Sequence, residues 1–359
     1  MRSHLLARSI AGAALLLATL SACAAPDDGA PSPAPLPRDS GLRAAVAFDG
    51  EAFAAHESLV AAVSITNSGT RPEQLLAWYV GDDELAAPIL AVWRDGVPVA
   101  YRGPLVKRRA PQPDDFVTLA PGATVTRRID LAAAYDLSRS GDYTLRVQIS
   151  SAAVRGSVVA DARYVLSTDR SFWAEGRAAA RPPEPTIGAA KPAASCSPTE
   201  LATLADAVGV ATTMSSGAAS YLAGSPAATQ RYLTWFGAFS PAGWNTAAGH
   251  FGAIADAFAT KPVTFDCKCK QRNVYAFVNP NQPYLISLCG AFWPAPLGGT
   301  DSKGGTLVHE MSHFNVTAAT DDWAYGQTAC RSLALTDPAH ALDNADRHEY
   351  FAENTPALP

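Results

Sequence analysis

Residues 41–167 contain no cysteine and only one histidine, His56. This scarcity excludes a disulfide scaffold and a cysteine-histidine metal cluster there, so we expect no functional site in this stretch. The chain also lacks an excess of basic residues. Its formal net charge is −5, and all of it falls on residues 192–359, which have 13 acidic and 8 basic residues. This balance argues against a nucleic-acid surface and suits a cationic substrate.

The N-terminal apolar run is too short to span a membrane. Arg2 and Arg8 precede it and small residues follow it, which predicts that residues 1–22 are a secretory signal peptide. Leu20-Ser21-Ala22-Cys23 is similar to a bacterial lipobox, and predicts cleavage before Cys23 and a lipid on its sulfur. Simple cleavage near Ala22 or Ala25 is the alternative. We expect a cell-envelope lipoprotein that contacts the membrane only through this lipid.

Two proline-rich segments frame the next part of the chain. Residues 23–40 have too little apolar content to fold and are interpreted as a tether. Residues 168–195 are interpreted as an exposed linker, the kind of segment that proteases cut. The bond before Lys191 is the predicted processing site, and cutting there would free the C-terminal part from its lipid anchor.

Between these segments, residues 41–167 show alternation of apolar and polar residues with frequent turn signals. Residues 89–93 and 97–101, joined through Asp95-Gly96, predict a hairpin, and residues 143–149 alternate as a half-buried strand does. The pattern predicts an all-β sandwich of immunoglobulin-like type. An inhibitory propeptide is our interpretation of this domain, and a passive targeting or substrate-binding module is the alternative.

Residues 196–359 predict a second, helix-rich domain with a small sheet. Ser197-Pro198-Thr199-Glu200 is a capping box with proline at the first helical position, ahead of a long helix to Leu222. Further helices are predicted at 229–237 and 243–260. Short β-rich segments follow at 263–269, 274–278 and 284–289.

The chemistry-bearing motif is His309-Glu310-Met311-Ser312-His313. On a helix, residues four apart share a face, so both imidazoles point toward one ion, and two imidazoles are most of a zinc site. Glu310 is placed to take a proton from a water activated by the metal. A helix-rich domain with a small sheet beside this helix is the zincin architecture, so the predicted fold is α+β and zincin-like.

A catalytic zinc needs a third protein ligand. The third histidine of the longer H-E-x-x-H-x-x-G-x-x-H motif is missing, because Ala319 occupies its place. Asp321 and Asp322 follow instead. Glu349 or Glu353 from a later helix is a further alternative.

Residues 319–326, Ala-Thr-Asp-Asp-Trp-Ala-Tyr-Gly, together with the H-E-x-x-H motif, resemble the G-T-x-D-x-x-Y-G signature of the aspzincins, the deuterolysin-like zinc peptidases. Only the opening glycine departs, being Ala319. The resemblance implies one zinc ion per catalytic domain, held by His309, His313 and Asp322. It implies that Tyr325 donates a hydrogen bond to the oxyanion.

Asp346 and Glu349 lie three residues apart, so on a helix two like charges share a face and favour a cationic partner. This segment resembles the peptidyl-Lys metalloendopeptidases, in which acidic residues line the pocket for a lysine after the scissile bond. Two solvated acids on a helix surface are the plain alternative.

The cysteines suit an exported domain. Cys267 and Cys269 are too close to bridge each other readily, so they should find different partners. The family resemblance implies the pairs Cys196 with Cys267 and Cys269 with Cys289. Half of a metal cluster at Cys267-Lys268-Cys269 is the weaker alternative, and Cys330 is interpreted as a buried free thiol.

The sequence therefore predicts a monomeric zinc endopeptidase that hydrolyses peptide bonds of proteins on the N-terminal side of lysine. The alternatives are an aspzincin of different specificity and a non-catalytic lipoprotein that binds a partner through the sandwich.

Overall fold

The computed structural model describes residues 41–81, 87–149, 165–177 and 195–359. The predicted signal peptide, lipidated Cys23, tether and processing site at Lys191 all lie outside these residues. So does most of the predicted linker. The described residues belong to one compact unit, Pro37–Pro359.

The N-terminal part is rich in β-structure, as the alternating pattern predicts. Its strands are β1 (Leu42–Ala47), β2 (Ala52–Phe53), β3 (Val60–Asn67), β4 (Glu73–Leu76), β5 (Leu90–Arg94), β6 (Val97–Pro98), β7 (Leu105–Arg108), β8 (Phe116–Leu119), β9 (Thr124–Asp130), β10 (Gly141–Ile149), β11 (Val165–Leu166) and β12 (Arg170–Ala174). Two one-turn helices interrupt them, α1 (Ala77–Val80) and α2 (Leu131–Ala134).

Two sheets of this part share one apolar core. One sheet has the strand order β1-β3-β9, and the other has the order β2-β12-β10-β5-β6. Every second residue of β3 and β10 is buried, which is the pattern of a strand with one face on a core. The predicted hairpin between β5 and β6 is present, with Asp95 and Gly96 both at positive φ as a tight two-residue turn requires.

The C-terminal part is mostly helical. Its elements are α3 (Pro198–Leu222), α4 (Gln230–Phe236), α5 (Pro241–Thr260), β13 (Thr264–Asp266), β14 (Val274–Val278), β15 (Leu285–Leu288), α6 (Lys303–His313), α7 (Gln327–Thr336), α8 (Pro338–Leu342) and α9 (Ala345–Glu353). The predicted capping box is formed, because Ser197 and Glu200 each accept a hydrogen bond from the other's backbone N–H.

The small sheet of the C-terminal part includes a strand from the N-terminal part. Its order is β13-β15-β14-β7, and β7 pairs antiparallel with β14 so that Lys107 lies opposite Ala276 and Val106 opposite Phe277. Strand β7 therefore covers the edge that β14 would otherwise expose.

Helix α6 is buried along its whole length. Its neighbour α9 packs closely because Gly305 has no side chain; a Cβ there would lie 2.1 Å from Glu353 Oε1. The contact brings the acidic residues of α9 next to the histidines of α6. Two separate helices lie here: α8 begins at Pro338, with Asp337 as its cap, and ends at Leu342, and α9 begins at Ala345.

One disulfide fastens the start of the helical part to its small sheet, and a second joins the segments that follow β13 and β15. They join Cys196 to Cys267 and Cys269 to Cys289. This is the pairing that the family resemblance implies, and each bond contributes roughly 2–4 kcal/mol of stability. Cys330 is free and buried, as expected. Within the described ranges, no helix has both the length and the apolar character needed to cross a bilayer.

Candidate metal centre and lysine pocket

Helix α6 places His309 and His313 on one face. The helix begins at a Ser302 cap, whose hydroxyl accepts a hydrogen bond from the Gly305 N–H at 2.9 Å. Glu353 supports the same end, since it accepts hydrogen bonds from the Ser302 N–H at 2.9 Å and from the Ser302 hydroxyl at 2.8 Å. Glu353 is therefore engaged away from the two imidazoles.

The chain reverses after α6 and returns toward the histidines. Ala319, which replaces the signature glycine, has φ 51°, in the left-handed region that glycine adopts without strain. Asn344 then holds the returning segment, because its side-chain oxygen accepts hydrogen bonds from the N–H groups of Trp323 and Ala324 at 2.7 and 2.8 Å. Asp322 is thereby directed at the two imidazoles.

Donor atoms from His309, His313 and Asp322 form a tight buried group. The two Nε2 atoms are 3.1 Å apart, and Asp322 carboxylate oxygens lie 3.3 Å from His309 Nε2 and 3.5 Å from His313 Nε2. Their ligand atoms all lie within 4.8 Å of one another. Asp322 Oδ1 is buried without a hydrogen-bond partner. Two imidazole nitrogens and a carboxylate facing one point fit a catalytic zinc ion, which takes three protein ligands.

The other ring nitrogens fix the orientation of the imidazoles. His313 Nδ1 lies 2.6 Å from the Thr320 carbonyl oxygen, so this nitrogen donates and Nε2 carries the free lone pair. His309 Nδ1 lies 2.9 Å from Asp346 Oδ1. A carboxylate or carbonyl behind each imidazole is the usual outer support of a metal-binding histidine.

Glu310 is fully buried next to these donors. Burial raises the pKa of its carboxyl to about 8. Neither carboxylate oxygen of Glu310 has a well-formed hydrogen bond to a protein group. The backbone N–H of Lys107 is nevertheless close enough to lower the pKa of this carboxyl. The carboxylate therefore faces the backbone of β7.

Tyr325 also faces β7. Its hydroxyl donates a hydrogen bond of 3.0 Å to the carbonyl oxygen of Val106. Burial raises the pKa of the phenol well above its usual range, so the hydroxyl keeps its proton and remains a donor. Gly326, which follows in the signature, has φ 82°, and a Cβ there would lie 2.8 Å from the Ala110 side chain.

Asp346 and Glu349 form a buried acidic pocket that contains the ammonium group of Lys107. Lys107 Nζ lies 2.5 Å from Glu349 Oε2 and donates a hydrogen bond of 3.1 Å to Asp346 Oδ1. A third carboxylate, Asp301, is 3.9 Å away. The rings of Tyr275 and Tyr350 stand 5.3 and 5.8 Å from the ammonium group and form further walls.

The charges of this pocket balance each other. Burial alone would lower the pKa of Lys107, but Asp346, Glu349 and Asp301 together raise it well above its usual range. Burial alone would raise the pKa of Asp346, whereas Lys107 and His309 hold it well below its usual range. The lysine is therefore charged, and the pair avoids the large cost of an unpaired buried charge.

Lys107 was missed by the sequence reasoning, which expected no functional site in residues 41–167. That expectation counted only cysteine and histidine as signals, so it gave no weight to Lys107. A lysine gives no local signal of this kind, since its partner Asp346 lies 239 residues away in the sequence. Asn344 was missed as well, because it acts by holding the backbone rather than by chemistry of its own.

Asp321 and Glu349 were alternative metal ligands. Burial raises the pKa of Asp321 well above its usual range, and neighbouring Asp343 and Asp322 raise it further. Among the described residues, the donor atoms that cluster with both histidines come from Asp322 and not from Asp321. Glu349 does form a second group of possible donors with His309 and Asp346. That group faces the other nitrogen of His309 and already holds the Lys107 ammonium.

A buried H-E-x-x-H helix with a returning aspartate and a tyrosine donor defines a zinc metalloendopeptidase of the zincin class. Comparison with known proteins agrees. A sequence model of the aspzincin family M35, described as lysine-specific metallo-endopeptidase, matches residues 221–353. The chain belongs to the aspzincin family, and its substrates are proteins or peptides.

Relatives cover both halves of the chain. An extracellular protease of Aeromonas hydrophila is 41% identical over 306 residues, which is 82% of this chain and 88% of that protein. A peptidyl-Lys metalloendopeptidase of Pleurotus ostreatus is 51% identical over 164 residues, 45% of this chain and 96% of that protein. A solved zinc peptidase from Grifola frondosa is 45% identical, with a TM-score of 0.44, and covers 46% of this chain and 100% of that one.

Proposed function

We propose that this protein cuts peptide bonds on the N-terminal side of lysine. The observation that carries the proposal is the Lys107 ammonium held by Asp346 and Glu349, with all three side chains fully buried. The pocket thus accommodates a lysine at the position that would follow the scissile bond. Relatives with the name peptidyl-Lys metalloendopeptidase support the same specificity.

His309, His313 and Asp322 would hold the zinc ion. When bound, zinc supplies a Lewis acid that activates water and polarises the carbonyl to be attacked. Glu310 takes a proton from the attacking water and returns it to the leaving amine. Its burial next to the donor group, and its position beside the backbone N–H of Lys107, suit both transfers.

Tyr325 would bind the carbonyl oxygen of the substrate as negative charge develops on it. Its hydroxyl already donates to a peptide carbonyl, that of Val106. A fixed donor in a buried site stabilises such charge more than water does, because it needs no reorganisation during the reaction.

The pocket favours lysine over arginine by shape and by donor geometry. Asp346 and Glu349 approach the ammonium group from α9, and Asp301 approaches it from the segment before α6. Three separate acceptors suit the compact ammonium of lysine, whereas arginine presents a planar fork that prefers one carboxylate. The aromatic walls of Tyr275 and Tyr350 limit the width available to a guanidinium.

The sheet-rich region is proposed to be an immunoglobulin-like sandwich that acts as an inhibitory propeptide. Tyr143, near the start of β10, donates a hydrogen bond to the carbonyl of Arg139, four residues upstream. A tyrosine with this backbone contact at the start of a strand is a feature of immunoglobulin-like sandwiches. The insertion of β7 beside β14 supports the inhibitory role.

We also propose that the protein is exported. The two disulfides suit an oxidising compartment, and the Aeromonas relative is named an extracellular protease. Lipid attachment at Cys23 stays a prediction from the sequence.

The proposal is tested by mapping cleavage sites in an unfolded protein digested by the purified chain, with and without a zinc chelator. New N-termini that begin with lysine, and their loss in the chelator, are expected. A Glu310→Gln chain is the matched control. Cleavage that is spread evenly over residue types would contradict the proposed specificity, and no chelator-sensitive cleavage would contradict the proposed reaction.

A further inference from the structure

Strand β7 lies beside the proposed metal centre, in the cleft between the edge of β14 and the segment that carries Asp322 and Tyr325, in the manner of a peptide substrate. It adds to the edge of β14 in antiparallel register, from Leu105 opposite Val278 to Arg108 opposite Val274. Main-chain pairing with an exposed sheet edge is a general way to bind an extended peptide. Leu105, Val106 and Lys107 are buried, and the Val106 side chain packs with Val274 and Cys289.

Val106 and Lys107, on either side of one peptide bond, make four contacts with residues of the proposed site. The Lys107 ammonium fills the acidic pocket, and the Val106 carbonyl oxygen accepts from the Tyr325 hydroxyl at 3.0 Å. The Lys107 N–H lies next to Glu310. If the bond were cut, this nitrogen would be the leaving amine, and Glu310 would be placed to give it a proton. The Val106 N–H donates to Asp322 Oδ2 at 3.0 Å.

We propose that the Val106–Lys107 bond is a processing site that the enzyme cuts within its own chain. The inference rests on the proposed lysine specificity and adds a particular internal substrate to it. Neighbouring bonds are not placed in the same way, because the guanidinium of Arg108 stacks 4.9 Å from the Trp78 ring and not in the acidic pocket.

The composition of the N-terminal half supports this assignment. Lys107 is the only lysine in residues 1–190, and every other basic residue of this stretch other than histidine is arginine. A peptidase that cuts before lysine therefore finds one target in the whole sheet-rich region. That target is the residue that occupies the pocket.

The reaction is an ordinary hydrolysis. One water molecule adds across the amide and the C–N bond breaks. Val106 then ends in a carboxylate, and Lys107 begins with a protonated amino group, which has taken up both protons of the water. Glu310 carries the proton from the water to the departing nitrogen. Val106 and Arg108 line a cavity of about 590 Å³, which brings solvent to the strand beside this bond.

Cutting here would change the strand that covers the cleft. After the cut, the residues before and after the broken bond are no longer connected through β7. Each end can therefore leave the site without the other. The Lys107 end remains attached to the residues that lead into β8, and the Val106 end stays with β5 and β6. We expect substrates to replace the strand more readily after the cut than before it.

The test is a time course on the full chain. The chain is prepared in a chelator, zinc is added, and the products are followed by intact mass and N-terminal sequencing. A fragment that begins with Lys107 is expected as the first product, with a first-order rate that does not depend on protein concentration. The Glu310→Gln chain should stay intact. A concentration-dependent rate would overturn cleavage within the same chain.

A register variant provides the matched control. Lys107→Arg combined with Arg108→Lys keeps the composition and charge of β7 but moves the lysine out of the pocket. We expect loss of the early fragment and no cut before position 108 on the same timescale. Early cleavage before the displaced lysine would show that sequence alone, and not placement in the pocket, determines the site.

Each zinc-treated sample also receives an unfolded protein that contains lysine. If that protein is cut before lysine while the Val106–Lys107 bond stays whole, the inference is wrong and the proposed function stands. If neither is cut, the proposed function fails together with the inference.

Discussion

Asp346 Oδ1 lies 2.9 Å from His309 Nδ1 and 3.1 Å from Lys107 Nζ. One carboxylate oxygen thus contacts both an imidazole of the proposed metal centre and the ammonium group of Lys107. Its partner oxygen, Oδ2, accepts from the Gly326 N–H at 2.7 Å and so holds the end of the signature segment. The proposed substrate pocket and the proposed metal centre therefore share one side chain.

This relationship predicts different effects for the two acids of the pocket. Glu349→Gln should lower kcat/KM for lysine substrates by about 10- to 100-fold, the value of one hydrogen bond to a charged group, and leave zinc affinity close to normal. Asp346→Asn should cause a similar loss and also weaken zinc binding by about 10- to 100-fold, since it removes the support of His309. Steady-state kinetics and competitive zinc titration measure the two effects separately.

Equal zinc affinity in the two variants would contradict the shared role of Asp346. An unchanged preference for lysine in Glu349→Gln would place the specificity pocket elsewhere.

Glu310→Gln tests the assignment of the base. The amide keeps the size of the side chain but cannot take a proton, so kcat should fall by about 100- to 10,000-fold. Zinc content should stay at one per chain, because Glu310 is not among the proposed ligands. Activity near that of the unchanged chain would show that another group transfers the proton.

Ala319→Gly tests the strain at the position where this chain departs from its family signature. Ala319 has φ 51°, which costs an alanine more than a glycine. Glycine would relieve this strain in the folded chain, but its greater freedom in the unfolded chain offsets part of the stabilisation. We therefore expect the free energy of unfolding to rise by about 0.5–1 kcal/mol. Denaturant unfolding measures it, and a loss of stability would contradict the prediction.

Much of the local structure was predictable because its signals are local. The capping box of Ser197 and Glu200, the Asp95-Gly96 turn and the H-E-x-x-H helix each depend on residues within a few positions of one another. The returning Asp322 was identified only through the family signature. Spacing alone could not separate it from Asp321, because the backbone reverses at Ala319, where the helical period no longer applies.

The pairing of β7 with β14 could not be predicted in the same way. The residues that meet there, such as Lys107 and Ala276, lie far apart in the sequence, and short alternating strands carry no information about which edge they will join. The acidic pair Asp346 and Glu349 did indicate a cationic partner. The sequence reasoning assigned that partner to a substrate and did not identify Lys107 of the same chain.

A pair of buried histidines predicts sensitivity to acid. His250 Nδ1 lies 3.0 Å from His348 Nε2, and His348 Nδ1 lies 3.1 Å from the Asn344 carbonyl oxygen, an arrangement that suits two neutral rings. Burial lowers the pKa of both, that of His348 well below its usual range. The unfolded chain therefore binds protons that the folded chain does not, so stability should fall as the pH drops below about 6.5.

Replacing His250 by Gln should reduce this acid sensitivity, because one of the two titrating rings is removed while a donor to His348 is kept. Thermal unfolding of both chains between neutral and mildly acidic pH measures the difference. An equal loss of stability in the two chains would show that other groups cause it.

We propose that His309, His313 and Asp322 bind one zinc ion. Anomalous scattering at the zinc edge from crystals of the full-length Glu310→Gln chain locates the ion directly. We predict a single peak within about 2.0–2.2 Å of both Nε2 atoms and of an Asp322 oxygen. A peak between His309 Nδ1, Asp346 and Glu349, or no peak near His313, would contradict the account.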